Sequence, residues 1–132
     1  MSKMSSLEKV VSNLLSQANF LYEREKIFKD CYNGHYRYDF YLPEKNILLE
    51  VQGQQHYIYN KKFYKNKSEF LKAQERDRRK ISYALAHGIK IYCIPYWEMD
   101  NISSVEDLFN QKFLAKSKFH NDDVFRTQQN RR

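Results

Sequence analysis

YRYDFYLPEKNILLEVQG, the stretch Tyr36–Gly53, decides the fold. Two alternating runs flank Pro43-Glu44-Lys45-Asn46, a turn signal. In the first run Tyr36, Tyr38, Phe40 and Leu42 share one face of a strand, and Arg37, Asp39 and Tyr41 share the other. In the second, Ile47, Leu49 and Val51 share one face, and Leu48, Glu50 and Gln52 the other. The simplest hairpin, a four-residue loop, sets Leu42 opposite Ile47, and a two-residue loop sets Pro43 opposite Asn46; either way paired residue numbers sum to 89. Asp39 then faces Glu50, with Cβ atoms ~4.5–5.5 Å apart. A bulge in either strand would break that pairing.

Upstream, Leu7, Val10, Val11, Leu14, Leu15 and Ala18 recur at helical spacing. Ser5-x-x-Glu8 reads as a capping box that opens this helix. Phe20–Phe28 reads as a strand and Asp30–Gly34 as a turn. Downstream, Tyr57–Lys67 reads as a basic, aromatic loop. Ser68 caps a helix running to about His87, and Gly88 stops it. Phe70, Ala73, Asp77, Ile81, Ala84 and Leu85 lie along one face of that helix. Lys90–Ile94 is a fourth strand ended by Pro95. Ser103-x-x-Glu106 opens a last helix with Val105, Leu108, Phe109 and Phe113 on its apolar face. The order α-β-β-β-α-β-α predicts a mixed four-stranded sheet flanked by helices. Residues 1–115 form the single domain, and 116–132 a polar, basic, flexible tail.

Two opposed carboxylates repel, so one stays protonated or a cation lies between them. A hard divalent ion such as Mg²⁺ suits such a pair, because it takes oxygen ligands and commonly uses one or two carboxylates plus substrate phosphate. Arg37 is the alternative, pairing with Asp39 or Glu50 instead. Gln52 projects from the same face as Glu50 and can orient water or contact phosphate. His56 follows the strand, where a ring can donate a proton or hydrogen-bond a phosphate, or simply belong to surface or core. Asp77 lies on an apolar helix face and needs a partner, with Lys80 and the carboxylate site as candidates. Glu8 belongs to the capping box, or faces the sheet if the box is absent.

The 132 residues are 42% apolar and 30% charged, which suits one globular domain. No apolar run approaches the ~18–20 residues needed to span a bilayer. Met1–Ser6 lacks the apolar core of a signal peptide, so a cytoplasmic location is expected, in a bacterium or a phage-infected host cell. Cys31 and Cys93 are far apart without a CxxC partner, which argues against a disulfide and a cysteine-rich zinc site. The net charge is +7. Lys61–Lys80 holds nine basic residues against Glu69, Glu75 and Asp77, a local +6. Such a block favours polyanions or is simply a solvated face.

Tyr38-Asp39-Phe40-Tyr41-Leu42-Pro43, then Leu49-Glu50-Val51-Gln52-Gly53-Gln54-Gln55-His56-Tyr57, resembles the PD-(D/E)XK nuclease superfamily. The closer likeness is to its E-D-x-H-D branch, which includes very-short-patch repair endonucleases and phage homing endonucleases. Gln74–Lys80 and Gly88–Trp97 resemble that branch too. The resemblance implies an αβββαβ restriction-endonuclease-like core and Mg²⁺-dependent phosphodiester hydrolysis, with Mn²⁺ able to substitute. It implies that Asp39 and Glu50 hold the metal. His56 would assist the leaving group or orient water, Asp77 would support the site, and Glu8 would supply an N-terminal carboxylate. Gln52 departs from the superfamily, which usually has Lys there, and Lys80 or His56 could substitute for it. The expected activity is a site-specific, homing-type DNA endonuclease. The alternatives are a structure-selective repair or junction nuclease and a catalytically degenerate nucleic-acid-binding protein. Arg37, Lys61, Lys62, Lys65, Lys67, Arg76 and Lys80 form the expected DNA-contact set. Double-strand cutting by so small a domain would call for a homodimer.

Overall fold

The computed structural model describes residues 4–130. Helix α1 (Ser6–Gln17) opens with the expected box: Ser5 Oγ accepts from Glu8 N at 3.2 Å, and Ser5 N donates to Glu8 Oε1 at 3.4 Å. Strand β1 is short, Glu23–Lys26. The chain before it stays tied to α1, since Phe20 N donates to Leu15 O and Asn19 turns with φ 59°. That is why a strand does not begin at Phe20. Strands β2 (Tyr38–Leu42) and β3 (Ile47–Gln52) form the hairpin. Helix α2 (Lys67–Ala86) is capped by Asn66, whose side chain accepts from Glu69 N, two residues earlier than the expected Ser68 cap. Gly88, at φ 67°, ends the turn after it, and β4 (Lys90–Pro95) follows.

The sheet order is β1-β2-β3-β4. The first two pairings are antiparallel, and α2 carries the crossover to a parallel β3–β4 pairing. The architecture is therefore α+β, a mixed four-stranded sheet flanked by helices. On one face α1 packs Leu7, Val11 and Leu15 against Phe40, Leu42, Leu49 and Val51. On the other α2 packs Ile81 and Ala84 against Tyr38, Leu48, Ile91 and Cys93. Cys31 and Cys93 are buried and free. Among the described residues no helix is long and apolar enough to cross a membrane.

Near the C-terminus one expectation is overturned, and a further helix is present. The helix expected from Ser103 is instead a set of 3₁₀ turns, Val105–Phe109 and Gln111–Phe113. Its capping box is Ser104 with Asp107. Asn110 stops it, with extended backbone and a side chain that accepts from Lys112 N. The segment expected to be a polar tail carries α3 (His120–Gln129). Two contacts hold α3 to the body that a polar composition does not reveal. Arg78 donates to both carboxylate oxygens of Asp122, at 3.0 and 3.2 Å. Phe125 stacks on Tyr57 with ring centroids 5.4 Å apart.

Candidate active site

The hairpin register is the expected one, Leu42↔Ile47, Tyr41↔Leu48 and Phe40↔Leu49. Regular pairing ends there, and the next step of that register is Asp39 opposite Glu50. Here the carboxylates themselves bridge the strands. Asp39 N donates to Glu50 Oε1 at 2.8 Å, and Val51 N donates to Asp39 Oδ2 at 2.7 Å.

The alternation expected of β2 breaks at the same point. Phe40 and Leu42 face α1, but Tyr38 faces α2, where its hydroxyl donates to Lys80 O at 2.8 Å. Tyr36 also packs on the α2 side. Glu25, beside Asp39 in the β1–β2 register, has φ 54°, a break in regular strand geometry. The irregularity turns Tyr38 over yet keeps the two carboxylates together, because each is anchored to the other strand's backbone.

Helix α2 supplies the rest. Asp77, Lys80, Ile81 and Ala84 are all buried, so one stripe of the helix faces the sheet. Lys80 Nζ donates to Glu50 Oε2 at 2.6 Å, with the two side chains 11% and 5% exposed. Burial opposes the ammonium charge, but Glu50 and Asp39 outweigh it and hold the Lys80 pKa above its ordinary value. Lys80 is thus a partner of the carboxylates and not a surface phosphate contact. Its place was readable from its spacing, three residues after Asp77 on the buried stripe.

His56 ends a 3₁₀ turn, Gln54–His56. Its Nδ1 lies 2.8 Å from Asp77 Oδ2. Asp77 therefore pairs with His56, while Lys80 goes to Glu50. A carboxylate only accepts, so His56 donates through Nδ1 and leaves Nε2 for a substrate. Burial works against a charged ring, but the Asp77 hydrogen bond and charge prevail and raise the His56 pKa.

Gln52 is fully buried, and its Oε1 accepts from the Tyr57 hydroxyl at 2.7 Å. One acceptor position of its carbonyl is therefore taken by Tyr57, and the amide NH₂ remains as a donor. Tyr57 was not foreseen in this role. Glu8 keeps its capping box and also pairs with Arg24, at 3.0 Å. It still adds to the negative field on Asp39. Arg37 does not neutralise the carboxylates: it is 65% exposed and pairs with Glu25 at 3.7 Å. Lys61, Lys62, Lys65, Lys67 and Arg76 are all exposed.

The charges around the site pair as Glu50 with Lys80, Asp77 with His56, and Glu8 with Arg24. Among the described residues Asp39 has no ion-pair partner. Burial and the neighbouring Glu50 push its carboxyl up to about 8, with Lys80 pulling the other way. No group of three or more His, Cys, Asp or Glu gathers into a metal cage among the described residues. A hydrated divalent ion asks for less, and the hard oxygens of Asp39 and Glu50 fit one. Asp39, half-buried, is the carboxylate that such an ion would neutralise.

No family model and no curated protein matches the chain. Among solved structures, the fold is similar to the catalytic domain of the homing endonuclease I-Bth0305I, with a TM-score of 0.56 and 24% identity. The likeness covers 83% of this chain and 94% of that one. At that identity it establishes a shared fold.

Proposed function

We propose that the chain is a Mg²⁺-dependent DNA endonuclease that hydrolyses phosphodiester bonds, of the site-specific, homing type and related to the PD-(D/E)XK superfamily. The observation that carries this reading is Asp39, a half-buried carboxylate hydrogen-bonded beside Glu50 that has no ion-pair partner among the described residues. Asp39 and Glu50 would hold the ion, which when bound polarises the phosphodiester and offsets its charge. The likeness to a homing endonuclease catalytic domain supports the choice of substrate.

The chain's own residues take the remaining roles. Lys80 fixes one oxygen of Glu50 and balances its charge. Asp77 holds the His56 ring so that Nε2 can give a proton to the leaving oxygen, and a raised pKa favours the ring that carries one. Tyr57 fixes Gln52, whose NH₂ can donate to a phosphate oxygen. The exposed Lys61, Lys62, Lys65, Lys67 and Arg76 would contact phosphates, as would the exposed Arg37. Cutting both strands would take two copies.

One observation favours a second reading, a nucleic-acid-binding protein without activity. Lys80 already neutralises Glu50, and Gln52 stands where a charged lysine is usual. Plasmid cleavage with and without Mg²⁺ separates the two. Metal-dependent cutting into discrete fragments, lost in Asp39→Asn while DNA binding persists, is the expected result. A smear would mean nonspecific cutting, and no cutting in any divalent metal would leave the binder.

A further inference from the structure

Three consecutive residues between β1 and β2 have left-handed backbone: Tyr32, Asn33 and Gly34, with φ 48°, 60° and 73°. Asn and Gly adopt this region readily, but a bulky tyrosine there is a strained choice. Such strain persists where the surroundings over-determine it, and it clusters at functional sites. Here the turn sets the Tyr32 ring against Tyr36, with centroids 5.2 Å apart, and 5.4 Å from the Arg79 guanidinium carbon. Arg79 Nη1 also donates to the Tyr36 hydroxyl at 3.4 Å.

The guanidinium is thus oriented by two rings yet remains open to solvent. The Arg79 side chain is 49% exposed, and Tyr32 is 43% exposed. Its ion pair is with Glu75, at 3.7 Å on the same helix. An exposed pair of that kind is weak, and phosphate can replace it with a bidentate contact. Arg79 precedes Lys80 on α2, and Tyr36 lies three residues before Asp39.

We infer that Arg79, oriented by Tyr32 and Tyr36, is a DNA-binding residue that contacts a backbone phosphate on the α2 side of the sheet. This rests on the nuclease reading above.

The test is duplex DNA binding by the full chain, without divalent metal, across a range of salt concentrations. Arg79→Ala should weaken binding severalfold and lower the salt slope by ~1. Arg79→Lys should restore the slope but not the full affinity, since the planar fork is lost. Tyr36→Phe should weaken binding less and leave the slope unchanged. In cleavage, Arg79→Ala should raise KM and leave kcat near wild type. An unchanged affinity and slope in Arg79→Ala would overturn the inference alone. Asp39→Asn in the same assay should bind as wild type does. A wild-type protein that does not bind duplex at all overturns both this inference and the nuclease reading.

Discussion

Replacing Lys80 with Met keeps most of the side-chain volume and removes the charge, leaving Glu50 and Asp39 without their buried ammonium. Nζ and Oε2 are 2.6 Å apart, and both side chains are about nine-tenths buried. At an effective dielectric of about 20 that separation corresponds to about 6 kcal/mol of attraction. The cost of taking both ions out of water offsets part of this. Removing one partner of a buried pair costs about 3–5 kcal/mol, since the other charge stays behind. A domain of this size has about 5–15 kcal/mol of stability in all, and loses about 3–4 °C of Tm per kcal/mol. Lys80→Met should therefore melt about 10–20 °C below wild type in calorimetry or circular dichroism. The double variant Glu50→Gln/Lys80→Met should recover much of the loss, because both charges are gone. A single variant that melts with wild type would refute the view that Lys80 neutralises this site.

Asp39 gives a pH signature. Its folded pKa lies above the ordinary carboxyl value, so the fold resists its ionisation. That penalty is absent below about pH 4, grows as pH rises, and is complete above about 8. Without divalent ions Asp39→Asn should melt above wild type at pH 8, and the gap should close near pH 4; equal melting throughout would contradict it. The His56–Asp77 pair has the opposite sign. A raised histidine pKa stabilises below its unfolded value of ~6.5, and the gain disappears as pH rises through the folded value. Asp77→Asn should abolish that component and lower the His56 titration midpoint seen by NMR. Parallel pH profiles for the two proteins would rule out the hydrogen bond as its source. Neutralising Lys61, Lys62 and Lys65 together should weaken duplex binding and flatten the salt slope by up to about 2.7. An unchanged slope would take that loop off the phosphate backbone.

Local chemistry made much of the fold legible. Pro43–Asn46 fixes the hairpin register, the Ser5–Glu8 box opens α1, and Gly88 closes α2. These signals lie within a few residues of the structure they specify. What escaped depends on contacts between distant segments. The turning-over of Tyr38 depends on Lys80 O, on α2, and coincides with the irregular backbone of Glu25 on β1. Helix α3 is polar, and what ties it down is Arg78 and Tyr57, 44 and 68 positions earlier than Asp122 and Phe125. The candidate site was partly legible. Asp39 and Glu50 follow from the register, and Asp77 from its place on an apolar face. Which cation serves which carboxylate did not follow. Arg37, Lys80 and His56 were all available, and packing assigns them to Glu25, Glu50 and Asp77.

The most direct test of a cation at Asp39 and Glu50 is anomalous diffraction from crystals of the protein soaked in Mn²⁺. The account predicts a single strong peak within coordination distance of carboxylate oxygens from both residues, lost in Asp39→Asn. A protein that cuts DNA in Mn²⁺ with no peak there, or with its peak elsewhere, would contradict it.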